Sequence, residues 1–250
     1  MQRVLIVATQ PASAKMLSDL LRSIGRCQIW TALDANRGLN IAQTIEPHLV
    51  LAEHGDGLDG IAFTRALRRS HLRARKAALI LISAEATAAA IIGARDAGVH
   101  EFLRRPFTIN DLTRRLEAVA RRPRQWVEGV DYVGPDRRRF NTGDYAGPMR
   151  RRIDHAVTPD EARIVQALRN LKAAIGAMER DPRQALRSMQ AQTDDLGCVA
   201  QTKADPIFRA AIGALAESVT RRDAQSLDRS EIERLAAPLL AFLPTERPAA

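Results

Sequence analysis

The sequence predicts an α/β domain built on a five-stranded, doubly wound parallel sheet, followed by a separate all-α bundle of three or four helices. Three observations carry that reading. Short apolar runs alternate five times with helical periodicity over the first 120 residues; between residues 121 and 154 the periodicity gives way to Gly, Pro, Asp and Asn; and four helix starts with capping chemistry follow. The boundaries drawn from this are 1–121 for the α/β domain, 122–156 for a connector and 157–245 for the bundle.

The first strand is the apolar run Arg3 to Val7, and Leu17, Leu20, Leu21 and Ile24 then recur at helical spacing before Gly25. The unit repeats as Gln28 to Thr31 with Ala35 to Ile45, Leu49 to Ala52 with Ile61 to Leu67, Ala78 to Ile82 with Ala86 to Ala97, and Glu101 to Leu103 with Asn110 to Ala120. Strands separated by single helices must run parallel, because a parallel pair needs a crossover, and a parallel sheet is covered on both faces. Ligand chemistry in such sheets lies at the carboxyl ends of the strands.

Of 250 residues, 46% are hydrophobic, which is ample for two cores. The net charge of +9 is unevenly placed: residues 1–120 hold 16 basic against 11 acidic residues, residues 121–154 hold 9 against 5, and residues 155–250 hold 13 of each. Arg outnumbers Lys 34 to 4, the pattern of a GC-rich coding sequence, so part of the arginine excess reflects codon usage. The most continuous apolar stretch, Ala77 to Ile82, is far too short to span a bilayer, and no charged region precedes an apolar one at the start; a cytoplasmic protein without membrane insertion is expected. Cys27 and Cys198 have no metal-ligand spacing and are expected as reduced thiols.

Four islands then become specific. PHLVLAEHGDGLDG at 47–60, ISAEAT at 82–87, AGVHEFLRRPF at 97–107 and VLIV at 4–7 fall in the order and spacing of a known family. Residues 1 to about 121 resemble response-regulator receiver domains, whose fold is flavodoxin-like. The resemblance implies a magnesium-binding acidic pair after the first strand, an acceptor aspartate after the third, a hydroxyl after the fourth and a lysine after the fifth. This chain departs at each ionic position. The acidic pair falls within Ala8, Thr9 and Gln10, the acceptor position is Glu53 with a loop one residue short, and the lysine position is Arg105. Aspartyl phosphorylation is therefore expected to fail, and no cofactor is expected. Ser83 stands at the hydroxyl position and Phe102 at the switch aromatic position, so the switch parts remain. Glu53 facing Arg105 has two readings: a permanent ion pair that mimics the phosphoryl charge and fixes one output state, or drift that satisfies two charges after function was lost.

The connector holds a repeat. Tyr132-Val-Gly-Pro-Asp-Arg137-Arg138-Arg139 recurs thirteen residues later as Tyr145-Ala-Gly-Pro-Met-Arg150-Arg151-Arg152. Three arginines beside a tyrosine after a Gly-Pro bend suit phosphate or carboxylate gripped in a fork, with the ring free to stack. A cyclic dinucleotide such as cyclic di-GMP, nucleic acid and an acidic protein patch are the candidate ligands; a solvated basic linker is the alternative.

In the last third, Thr158-Pro159, Asp181-Pro182, Asp205-Pro206 and Asp228-Arg229 begin helices, three of them with Glu or Gln at the third helical position. Ile164, Leu168, Leu171, Ile175 and Met178 form one seam, Phe208, Ile212, Leu215 and Val219 a second, and Ile232, Leu235, Leu239 and Phe242 a third. Of the five histidines only His155 lies near, ahead of the first cap, so no phosphotransfer helix is expected. No phosphate-binding glycine loop or nucleophile-base arrangement points to an enzyme. The leading expectation is a non-enzymatic bacterial two-component signalling adaptor, a pseudo-receiver that binds another signalling protein, with homodimerisation through the bundle as one form. A cyclic-dinucleotide sensor and a DNA-binding transcription regulator are the alternatives, the last disfavoured by the neutral bundle.

Overall fold

The computed structural model describes residues 3–137, 159–200 and 205–243. Two compact units emerge, the first taking residues up to 127 together with 132–137, the second taking 128–131 with the C-terminal helices.

In the first unit β1 (Arg3–Val7), α1 (Pro11–Ile24), β2 (Gln28–Ala32), α2 (Ala35–Ile45), β3 (Leu49–His54), α3 (Gly60–Arg69), β4 (Ala78–Ser83), α4 (Ala88–Ala97), β5 (Glu101–Arg104) and α5 (Ile109–Arg121) alternate without exception. The sheet is wholly parallel in the order β2-β1-β3-β4-β5. Period-two alternation within apolar strands builds two cores at once. Val4, Ile6, Leu49, Leu51, Ile80 and Ile82 face Leu17 and Leu21 of α1 and Leu112 of α5. Leu5, Val7, Val50, Ala52, Leu79 and Leu81 face Ala42 of α2, Phe63 and Leu67 of α3 and Ala94 of α4. Because β2 and β3 flank β1 on opposite sides, the crossovers diverge there and leave a crevice at the carboxyl ends of β1 and β3.

Local chemistry sets the helix ends. Asp34 and Thr87 accept from Arg37 N and Ala90 N, and Thr108 with Asp111 forms a reciprocal capping box on α5. The helix expected from Leu17 begins six residues earlier, at Pro11, because the first helical position suits proline and the small residues after it give no apolar period. A 3-10 turn over Arg73–Lys76 between α3 and β4 was not legible either.

An arginine lies inside this unit. Arg68, near the end of α3, is 1% exposed. Its Nε donates to Gly98 O at 2.9 Å and its Nη1 to Ala77 O at 2.9 Å, and Nη2 lies 3.2 Å from His100 Nδ1. Burial pulls its pKa down to about 9, which leaves it charged at neutral pH. His100 is affected in turn: burial first, then the Arg68 and Arg124 charges, hold its pKa well below the ordinary value. Its Nδ1 accepts from Leu79 N at 3.2 Å, so the neutral ring carries its proton on Nε2. An unfolded chain binds this proton near pH 6.5, whereas the folded one resists it. The resulting stability is therefore present above about pH 6.5 and declines as pH falls below it. The thermal midpoint of the chain is expected to drop between pH 7 and pH 5 more steeply than that of His100→Asn; parallel curves by circular dichroism would contradict this assignment.

Residues 122–137, read from the sequence as part of a connector, carry a two-stranded ribbon of β6 (Trp126–Glu128) and β7 (Val133–Pro135). Within the first unit, Trp126 offers its ring to the Arg68 and Arg75 guanidiniums at 5.4 and 5.6 Å.

The second unit is helical. α6 (Pro159–Gly176), α7 (Pro182–Ala200), α8 (Pro206–Arg221) and α9 (Arg229–Leu240) pack in sequence, and α9 returns to α6, giving four helices among the described residues. The three seams meet in one core through Leu168, Leu171, Met189, Leu196, Ile212, Leu215, Val219, Ile232 and Leu239. Phe242 stays 46% exposed and meets Phe208 edge-on at 4.8 Å. Two caps differ from the predicted boxes. Asp181 and Asp228 do cap α7 and α9, but Gln184 turns its amide to Glu128 Oε1 at 2.9 Å and Glu231 pairs with Arg222 at 2.5 Å. A buried or ionic partner outcompetes a backbone N–H at a helix start. Among the described residues no helix is long and apolar enough to cross a membrane.

Candidate functional site

The crevice at the carboxyl ends of the strands gathers the residues singled out there. Ala8 is fully buried, Thr9 donates its hydroxyl to Asp56 O at 2.9 Å, and Gln10 is the exposed N-cap residue of α1, its side chain making no capping bond. None supplies a carboxylate, so the magnesium site of the resembled family has no ligand pair here. Among the described residues no group of three or more His, Cys, Asp or Glu side chains could hold a metal ion. The residues present do not fit that ion.

Glu53, at the end of β3, is 5% exposed and paired with Arg105. The Arg105 Nη2 also donates to Ser13 Oγ at 2.9 Å, so the guanidinium joins the first turn of α1 to the end of β3. A carboxylate and a guanidinium in contact, the acid almost fully removed from water, neutralise each other where the family places phosphoryl and lysine. Ser83 is 2% exposed, and its hydroxyl accepts from Glu85 N at 3.1 Å. Phe102 is 4% exposed and lies in the core shared with α2, α3 and α4. The short loop is a tight turn in which Gly55 and Leu58 exchange both backbone bonds at 3.0 Å, with Gly55, Asp56 and Gly57 all at positive φ. Sequence reading missed Ser13, which nothing local distinguishes and which reaches Arg105 only through the fold.

Of the arginine repeat, the described residues are those of the first copy up to Arg137. Tyr132 is 6% exposed and donates its hydroxyl to Pro135 O. Burial pushes its pKa up to about 12. The Gly134 Cα lies against Gly98: a Cβ at Gly134 would stand 2.8 Å from the Gly98 Cα. Arg137 covers the Tyr132 ring at 4.3 Å and pairs with Asp96 at 3.2 Å. Tyrosine, glycine and proline of this copy are thus engaged in packing, and its first arginine is engaged by an acidic side chain. Arg138, Arg139, Tyr145, Arg150, Arg151 and Arg152 lie outside the described residues.

Comparison with known proteins bears on the family of the first unit. Residues 4–117 match the family described as response regulator receiver domain. The probable chemotaxis protein CheY of Rhizobium etli is 36% identical over 118 residues, which cover 47% of this chain and 91% of that protein. The KDP operon transcriptional regulatory protein KdpE of Escherichia coli K12 is 36% identical over 124 residues, covering 49% of this chain and 52% of that one. The solved chemotaxis protein CheY4 of Vibrio cholerae shares 22% identity with a TM-score of 0.44, over 48% of this chain and 98% of that one.

Proposed function

Because this chain belongs to the response-regulator receiver family through residues 4–117, we propose that it is a pseudo-receiver, a non-enzymatic adaptor of bacterial two-component signalling that acts by protein contact without being phosphorylated. The observation that carries this reading is the Glu53–Arg105 ion pair, with no carboxylate at Ala8, Thr9 or Gln10 to join it. In-line phosphoryl transfer to a carboxylate needs a counter-charge for the incoming group. Here the Arg105 guanidinium is already neutralised by Glu53.

The same pair favours a fixed state over drift. It ties β3 to the residue that opens the β5–α5 loop and, through Ser13, to α1, while Phe102 two residues before Arg104 is packed inward. The hydroxyl of Ser83 takes its bond from the β4–α4 loop itself, so the hold on β5 runs through Arg105. The permanent charge pair replaces the transient one that phosphorylation creates.

The test has two arms. Incubation of the full chain with acetyl phosphate and magnesium is expected to give no phosphoryl adduct by intact mass, and an adduct on Glu53 or a neighbour would refute phosphorylation-independence. Glu53→Gln is expected to speed amide exchange over residues 101–107 and α4, since the Arg105 tether loses its anion. Unchanged exchange there would leave drift as the better account.

A further inference from the structure

We infer that the end of the first unit opposite the crevice is a docking surface for the phosphate backbone of nucleic acid. In a parallel sheet all loops that precede strands lie at one end, and here that end collects cations. Arg26 precedes β2, Arg69, Arg73 and Lys76 precede β4, and Arg121 and Arg122 close α5. All six are exposed. The carboxylates near Arg73 and Arg121 do little to neutralise those two: Arg73 lies 3.8 Å from Glu46 and Arg121 lies 3.6 Å from Glu117, yet their side chains are 87% and 77% exposed. Pairs that open to water hold their charges loosely.

The other end is acidic. Asp34, Asp56, Asp59 and Glu85 stand exposed in the loops that follow strands, against the exposed Arg104 and Arg37, which pairs with Asp34, while Arg105 is committed to Glu53. The unit is therefore an electrical dipole, and such a field orients the basic end toward a polyanion. Helix-dipole complementarity accounts for cations in a last turn, such as Arg69 and Arg121. It does not account for Arg26, Arg73 and Lys76, which lie outside the α-helices, or for Arg122 beyond the end of α5.

Shape selects the partner. Neighbouring strands lie about 4.8 Å apart and β2 and β4 stand three places apart in the sheet, so the cations before them span a row of roughly 14 Å. A duplex carries one charge per about 1.7 Å of axis, so such a row faces on the order of ten phosphates. A membrane surface would need large apolar or aromatic side chains to insert, and among the described residues at this end Ile24, at 37% exposure, is the large hydrophobic residue that is exposed. Backbone contacts carry no base preference, so the binding is sequence-tolerant.

The experiment uses the full chain and a fluorescein-labelled 30-base-pair duplex of arbitrary sequence, read by anisotropy at several salt concentrations. Binding is expected to saturate and to weaken by about a thousandfold between 50 and 200 mM salt. Arg73→Gln with Lys76→Gln is expected to lower the logarithmic salt slope by about two, while Arg37→Gln on α2 leaves it unchanged. Absence of binding at low salt, a slope that the double variant does not move, or tighter binding to phosphatidylserine vesicles than to the duplex would each overturn the inference. An unmoved slope would place any binding elsewhere, such as the remaining arginines of the repeat.

Discussion

Arg68→Ala is expected to destabilise the first unit by roughly 3 kcal/mol or more and to lower its thermal midpoint by on the order of 10 °C. Two effects add. Truncation removes a side chain that is 1% exposed and leaves a cavity, and it takes a donor away from the carbonyls of Gly98, Arg75 and Ala77. Against this stands the desolvation of an arginine bonded to carbonyls and an imidazole, the reason its pKa falls to about 9. Removing a buried charge can stabilise a protein when apolar groups replace both partners. Here the partners are backbone carbonyls and stay behind, so Arg68→Met, which fills most of the volume, is still expected to lose about 1–3 kcal/mol. Arg68→Lys keeps the charge but not the fork, and should fall between the two. A methionine variant as stable as the parent would show that the carbonyl bonds contribute nothing net.

That residue also marks where sequence reading stops. Basic residues in the last turn of a helix are expected on dipole grounds, so nothing local separates Arg68 from Arg69, its exposed neighbour. Its burial is decided by the turns at 75–77 and 98–100, remote in sequence. The strands were legible because parallel strands need apolar residues on both faces: Arg3–Val7 has the bounds read from the apolar run, as Ala35–Ile45 has those read from helical spacing. Glu53 and Arg105 were legible as a pair although 52 residues apart, because the motif islands fix where each strand ends. Ser13 was not, since a serine in a first helical turn is ordinary. Tyr132 was read as free to stack on a ligand, but the structure folds it under Arg137, a use that a Gly-Pro bend does not announce.

Gly60→Ala is the second substitution expected to act strongly, and it reaches the crevice through the backbone. Gly60 opens α3, and Asp59 caps that helix by accepting from Ile61 N and Ala62 N at 3.1 and 2.9 Å. A methyl on Gly60 would collide with the Glu53 carbonyl oxygen and stand 2.8 Å from Leu81 Cδ1. Leu81 is fully buried in β4 and the carbonyl belongs to the residue that holds Arg105, so neither can yield cheaply. The end of β3 must move, at about 1–3 kcal/mol, and the Glu53–Arg105 pair should loosen with it, seen as faster amide exchange over residues 101–107. Gly93→Ala is the matched comparison: its new methyl meets only Ile61 Cδ1, at 3.5 Å, inside α4. There a helical alanine should leave stability unchanged or raise it by about 0.5–1 kcal/mol. Equal stability of the two variants would mean that the end of β3 gives way freely, and a strand end that gives way cannot hold Arg105 in one fixed state.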